Sequence, residues 1–133
     1  MLERPLRRAR FLACDIERLG DRVRARVDLA DGDKGTVSAS AERDAGPDGD
    51  LWCAADATVA ALRQAHGLDD AAFTLREVVV FEIDGNPAVA VSLRAYVQGQ
   101  RRRLFGLTEA EADRGRAAAV AVLNATNRFF SGG

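Results

Sequence analysis

The sequence predicts an α+β fold built from two βββα repeats, in which antiparallel sheet packs against two helices. Three observations lead to this class. Residues 10–67 show three strand-like stretches followed by a helix, residues 73–130 repeat that order, and Gly, Asp and Pro residues mark turns between the elements. A chain of 133 residues is expected to form a single domain, 1–133, in which residues 1–9 are a loose N-terminal arm.

The first unit begins with a strand that contains Phe11 and Ile16, and its second strand has the clearest pattern in the chain. Over residues 22–29, charged residues alternate with the apolar residues Val23, Ala25, Val27 and Leu29. A period of two is typical of a strand that is buried on one face. Residues 36–42 alternate again, which predicts a third strand whose core-facing residues are Val37, Ala39 and Ala41.

A loop and then a helix complete the first unit. Residues 43–50 (RDAGPDGD) have the composition of a loop. The helix after them has an apolar stripe with spacings of three and four residues, made of Trp52, Ala55, Val59, Leu62 and His66. We expect Asp50 to be the N-cap, because its carboxylate accepts hydrogen bonds from free backbone N–H groups. Gly67 suits the left-handed position just after the helix.

The second unit is more apolar. Its first strand, Phe73–Ile83, is expected to place Val78 and Val80 on one face and, on the other, Phe73, Leu75, Val79, Phe81 and Ile83. The run Asp84-Gly85-Asn86-Pro87 predicts a hairpin turn, and residues 89–97 then alternate as the next strand.

The last strand and the last helix follow. A turn at Gly99-Gln100 leads into a short strand over residues 102–107. Thr108 and Glu111 form the pattern T-x-x-E, which predicts a capping box at the start of the last helix. That helix continues to about Asn127.

Apolar residues on both faces of one strand bear on the oligomeric state. The strand Phe73–Ile83 has apolar residues on both faces. The next strand has apolar residues, Ala88 and Ala90, on its outer face as well. Strands of this kind are usually covered on both faces, whereas one βββα layer covers only one. We therefore expect a homodimer. The alternative is that the two units cover each other within a monomer.

Composition argues against several classes of function. The net charge of −1 gives no overall field that attracts nucleic acid or an anionic membrane. No apolar run reaches the length of about 18 residues needed to span a membrane, and no signal peptide is recognisable. Cys14 and Cys53 lie far apart and lack metal-ligand spacing. We expect a cytoplasmic protein with free cysteines and with neither metal nor cofactor.

Catalytic residues are not expected either. His66 is the only histidine, and the spacing shows no Ser or Cys partner for it. Acidic pairs occur in loops or turns, where carboxylates serve capping and solubility; these pairs are Asp48/Asp50, Asp69/Asp70 and Glu82/Asp84. The sequence therefore favours a protein that is not an enzyme.

RNA binding is the alternative function. Arg101, Arg102 and Arg103 are the densest basic run, and Arg94 and Tyr96 would extend it into a patch. The order helix, three strands, helix also occurs in double-stranded RNA-binding domains. However, the last helix begins with acidic residues that repel phosphate, namely Glu109, Glu111 and Asp113. We therefore do not expect nucleic acid as the main partner, and the run also suits protection of an edge strand.

The last helix carries a family resemblance. Its sequence AAAVAVLNATNRFF is similar to a pattern A-x-L-x-A-x-N-R, through Ala119, Leu123, Asn124, Asn127 and Arg128. That pattern and the order of elements over about residues 10–130 resemble the C-terminal regulatory domain of 2-isopropylmalate synthase and related acyltransferases. The first helix is also similar, because it opens after Gly46-Pro47. The resemblance implies two βββα units related by an approximate two-fold axis.

The resemblance also implies a function, which is allosteric regulation and dimerisation without the catalytic barrel that precedes the domain in the family. We therefore expect a stand-alone regulatory domain that forms a homodimer and binds a small metabolite, such as an amino acid, near the helix N-termini. Backbone N–H groups there would hold a carboxylate. The expected ligand-binding residues are Asp50, Leu51, Thr108 and Asn124.

Overall fold

The computed structural model describes residues 9–32, 35–110 and 113–130, with side chains up to Asn127. The elements, in chain order, are β1 (Arg10–Leu19), β2 (Arg22–Ala30), β3 (Thr36–Asp44), α1 (Gly49–His66), β4 (Phe73–Ile83), β5 (Asn86–Val97), β6 (Gln100–Glu109) and α2 (Arg114–Phe130). The strands form two antiparallel sheets, ordered β1-β2-β3 and β4-β5-β6. The predicted α+β class with two βββα units is confirmed, and the structure adds that the six strands form two sheets.

The first hairpin of each unit has the same construction. β1 has a bulge between Phe11 and Ala13, and β4 has one 64 residues later, between Leu75 and Glu77. The residue pairs that close the two hairpins are also 64 residues apart. The second connections differ, because β5 and β6 are joined through Gln98-Gly99, whereas residues 31–35 separate β2 from β3. The two units therefore share a common plan up to this connection.

Both helices are buried on most sides. Each one packs against the second and third strands of its own sheet, the other helix, and the first strand of the other sheet. Eleven of the 18 residues of α1 are buried, and alanines dominate the buried positions of both helices. Small side chains allow this close approach on several sides at once. The helices thus cover the inner faces of both sheets within one chain.

The ends of α1 confirm one prediction and correct another. Gly67 is the C-cap, with φ of 62°, and its N–H bonds the carbonyl groups of Arg63 and Gln64. Asp50, however, lies inside the first turn, because the helix already begins at Gly49 after Asp48. A Cβ on Gly49 would lie 2.7 Å from the carbonyl oxygen of Asp44, so the tight approach of β3 to the helix start requires glycine there.

The start of α2 also differs from the prediction. Thr108 belongs to β6, whose pairing with β5 continues to Glu109 opposite Ala88, so Thr108 is not the N-cap. The helix begins at Arg114, and Asp113 provides the cap: its Oδ1 accepts a hydrogen bond of 2.9 Å from the N–H of Arg116. Glu111, the second residue of the predicted capping box, lies outside the described residues.

The predicted faces of β4 are wrong beyond Leu75. Val78 and Val80 pack against the core, whereas Val79 and Ile83 are exposed. The bulge after Leu75 adds one residue to the strand, and one extra residue exchanges the two faces of everything that follows. A strict period of two cannot reveal such an insertion.

The N-terminal prediction is corrected at one residue. Residues 1–8 of the predicted arm lie outside the described residues, but Ala9 is buried. The side-chain amide of Asn127 accepts a hydrogen bond from the N–H of Ala9 and donates one to its carbonyl group, both at 3.3 Å. The backbone at Ala9 is therefore held against the end of α2.

Candidate functional site

The four predicted ligand-binding residues lie in two separate pairs. Asp50 and Leu51 are in the first turn of α1, beside the start of α2. Thr108 lies near the end of β6, where Asn124 of α2 donates a hydrogen bond of 2.9 Å to the neighbouring carbonyl group of Leu107. Asn124 follows the start of α2 by ten residues, or about 15 Å of helix. The structure therefore does not bring the four residues into one cleft.

An ion pair occupies the place where the two helix N-termini meet. Arg114 contacts Asp48 (Nη2 to Oδ1, 2.7 Å) and Asp50 (Nε to Oδ2, 3.1 Å). Burial alone would raise the pKa of Asp50, but the hydrogen bonds and charge of Arg114, with bonds from backbone N–H groups, lower it. Leu51 is fully buried. The chain's own carboxylates thus occupy the position expected for a carboxylate ligand.

The cysteines are not activated. Burial, followed by the charges of Asp113 and Asp15, raises the pKa of the Cys14 thiol to about 12. Cys53 is buried, and its thiol donates to the carbonyl group of Ala41 at 3.1 Å. A thiol is a nucleophile only as the thiolate, so neither cysteine suits nucleophilic catalysis near neutral pH.

The described part of the chain holds neither a clustered metal site nor a helix that could span a membrane. Over residues 9–32, 35–110 and 113–130, no three His, Cys, Asp or Glu side chains converge as a metal site would require. Neither α1 nor α2, the two helices of those ranges, has the length and apolar character needed to cross a membrane.

The outer face of the first sheet, away from the helices, is covered by paired charges. Arg22 contacts Asp44 at 2.8 Å, and Arg24 contacts Glu42 at 3.2 Å across the β2–β3 ladder. Asp28 also accepts hydrogen bonds from Arg26 and Ser38 on this sheet. Exposed ion pairs contribute little stability each, but they leave this face with matched charges and a hydrated surface.

The outer face of the second sheet is different, and we call it the open face. Its position follows from Gly106, which packs directly against the backbone of α2 at Ala121, so its neighbours Phe105 and Leu107 point away from the helices. Phe105 is 59% exposed and Leu107 is 48% exposed. The apolar part of the open face consists of Val79, Phe81, Ile83, Phe105 and Leu107.

One end of the open face is basic. Arg94 lies opposite Arg103, and Tyr96 lies opposite Arg101; we call Arg94, Arg101 and Arg103 the arginine cluster. The Arg101 guanidinium lies 5.7 Å from the centre of the Tyr96 ring. Within the described residues, the ion pairs of the chain involve none of these arginines. With Arg76, Arg102 and Ser92, the cluster lines a shallow groove of about 910 Å³.

Part of this surface was visible in the sequence. Apolar residues on both faces of Phe73–Ile83 indicated surplus apolar surface, and the structure locates it at Val79 and Ile83. Phe105 and Leu107 were not recognised as surface residues. Phe105 and Leu107 alternate with Leu104 and Gly106 in the sequence. If Gly106 is assigned to the face that packs against the helix, this alternation predicts that Phe105 and Leu107 lie on the outer face.

The comparisons with known proteins add no family. The sequence matches no protein-family model, and no curated protein is significantly similar to it. The resemblance to the regulatory domain of 2-isopropylmalate synthase therefore stays a prediction.

Proposed function

We propose that this chain is a non-catalytic assembly domain that forms a homodimer through the open face. One observation carries the proposal: the outer face of the second sheet exposes contiguous large apolar side chains, while the outer face of the first carries paired charges. Contiguous apolar surface of this kind is typical of interaction sites. The helices already cover the inner faces of both sheets, so the open face is the apolar surface left for a partner.

The dimensions of the open face suit a dissociable dimer. Three strands about 4.8 Å apart and ten residues long, at about 3.3 Å per residue, give a face of roughly 15 by 33 Å. Two such faces bury about 1,000 Å², which is near the lower limit for a specific interface. We therefore propose a dimer that dissociates on dilution rather than an obligate one.

A regulatory role, as the resemblance implies, is part of this proposal, and so is the cytoplasmic location expected from the sequence. Amino-acid binding at the helix N-termini has weaker support from the geometry, because Arg114 and the carboxylates of Asp48 and Asp50 fill that place. A ligand there would have to displace an existing ion pair. Dimerisation requires no such rearrangement.

The experiment measures mass in solution over a range of protein concentrations. Leu107→Asp places a charge in the centre of the open face and is expected to give a monomer. Leu12→Asp is the matched control, because Leu12 is 47% exposed and lies on β1 of the other sheet. This variant is expected to dimerise like the unsubstituted protein. Circular dichroism checks that both variants are folded.

Two results would overturn the proposal. The first is an unsubstituted protein that stays monomeric at about 1 mM, a concentration that populates even complexes with millimolar Kd. The second is a Leu107→Asp variant that dimerises with the same Kd as the Leu12→Asp variant.

A second candidate function is the binding of single-stranded RNA at the arginine cluster. The supporting observation is that exposed Tyr96 lies beside arginines that have no carboxylate partner among the described residues. Aromatic rings and basic residues on an open sheet are the elements of single-strand recognition. The arrangement of double-stranded RNA-binding domains is not formed, because α1 packs mainly against the first sheet and contacts the second sheet chiefly at β4.

Salt dependence separates the two candidates. If RNA binds, affinity for a labelled oligouridine falls steeply with salt, and Arg101→Ala with Arg103→Ala weakens it. Arg22→Ala with Arg24→Ala is the control, because these arginines are paired on the first sheet. Equal affinity for both double variants would exclude the arginine cluster as the RNA site.

A further inference from the structure

Charge is distributed unevenly along β6 on the open face. Arg101 and Arg103 lie at one end, Phe105 and Leu107 in the middle, and Glu109 at the other end. All five have odd numbers in a regular strand, so their side chains share one face. Along β6 the face is thus basic at one end, apolar in the centre and acidic at the other end. On β4, the exposed Glu77 lies opposite Ser92, in the same half of the face as the arginines.

Opposite charges also lie at equal distances on either side of one residue of β6. Gly106 is the midpoint between Phe105 and Leu107, and it is also the midpoint between Arg103 and Glu109. Val91 of β5 lies directly opposite Gly106, and Val78 of β4 lies opposite Val91. A line across the three strands at this level therefore separates the basic half of β6 from its acidic half.

We infer that the homodimer has its two-fold axis along this line, across the strands, so that Arg103 of each subunit lies over Glu109 of the partner subunit. This inference rests on the proposed dimerisation through the open face. The occupant of the face is a second copy of this chain. Phe105 then packs near Leu107 of the partner subunit in the centre of the interface.

The physical reason is electrostatic complementarity. When two stacked sheets have nearly aligned strands, a two-fold axis between them runs close to the strand direction or close to the direction across the strands. An axis along the central strand β5 would place the basic end of the open face over the basic end of the partner subunit, with Arg94 beside its own copy, and like charges across an interface oppose binding. It would also place Glu109 over β4 of the partner subunit, away from any arginine of β6. An axis across the strands places opposite charges together at both ends. A two-fold interface also contains each pair twice, so each charge substitution acts twice.

A charge-exchange experiment tests the orientation. Arg103→Glu alone and Glu109→Arg alone are each expected to raise the dimer Kd by about tenfold, since each places like charges together. The double variant Arg103→Glu/Glu109→Arg restores the opposite-charge pair and is expected to return Kd to within about threefold of the original. Arg18→Glu is the control for net charge, because Arg18 is an exposed residue of β1.

The outcomes separate this inference from the proposed function. An unsubstituted protein that forms no dimer contradicts both. A dimer that Leu107→Asp disrupts, and that Arg103→Glu strengthens, supports the open face and refutes the axis across the strands. A double variant as weak as the single ones also refutes the orientation. Near-native circular dichroism of the single variants confirms that folding is unaffected.

Discussion

Replacement of Gly106 by alanine tests the closest approach between a sheet and a helix in this fold. A Cβ on Gly106 would overlap the carbonyl oxygen of Ala121, and it would lie 2.8 Å from the backbone nitrogen of Ala125. These are backbone atoms of a buried helix, so no side chain can rotate to make room. Either α2 or β6 has to move by about 1 Å or more within a close-packed interior.

The expected loss follows from this geometry. Adding a methyl group to a packed core costs about 1–3 kcal/mol when side chains can adjust. Because the obstacle here is backbone, we expect Gly106→Ala to lower the free energy of unfolding by at least about 3 kcal/mol, out of a typical total of about 5–15 kcal/mol. The corresponding fall in Tm is roughly 10 °C.

The assay is urea unfolding followed by the fluorescence of Trp52, the only tryptophan of the chain. Gly46→Ala is the matched control, because its Cβ would meet no atom within 4 Å and its φ is not positive. We expect that variant to remain within about 0.5 kcal/mol of the original protein. A Gly106→Ala variant that loses less than about 1 kcal/mol would refute the close packing of β6 against α2.

Three further predictions concern single groups. The pKa of Cys14, raised to about 12 by burial, predicts that iodoacetamide at pH 8 labels Cys14 many-fold more slowly in the folded protein than in urea; equal rates would contradict it. The lowered folded-state pKa of Asp50 stabilises the fold above the unfolded-state pKa of about 3.9, and this contribution is lost as pH falls through the folded-state value. Arg114→Met should therefore make Tm depend less on pH below about 5. The stabilisation that it removes is less than about 1 kcal/mol, because the pair is partly exposed; an unchanged pH profile would contradict this prediction. Deletion of Arg76 removes the bulge but leaves the same β4 side chains facing the core. In thermal unfolding it should therefore cost much less stability than deletion of Val79. Equal losses would show that the bulge does not determine which residues face the core.

The residues that face the core could be predicted from the sequence, because burial of one sheet face requires apolar residues at alternate positions. Val23, Ala25, Val27 and Leu29 were predicted to face the core and are buried. The strand bounds Phe73–Ile83 were also predicted correctly. Burial of one sheet face forces a period of two on any strand that satisfies it, and that period is visible in one sequence.

The errors arise where long-range contacts override a local pattern. Thr108 fits a capping box locally, but pairing with β5 extends β6 past it to Glu109. Arg114 was not recognised as a partner of Asp48 and Asp50, because these residues are more than 60 positions apart in sequence. The extension of strand pairing to the end of β6 produces no periodic pattern in the sequence. An ion pair between the ends of two helices produces none either.

The two units also provide an internal comparison of what folding requires. Asp28 and Ser92 are equivalent positions, 64 residues apart on the second strand of each unit; Ser38 lies opposite the first, and Phe105 lies opposite the second. One row further along, Ser40 occupies the position that Leu107 has in the second sheet. Because the first unit forms the same hairpins with serines at these outer positions, the fold does not require large apolar residues there. Exposing them costs solubility, so their presence in one unit alone supports the proposed contact with a second copy of the chain.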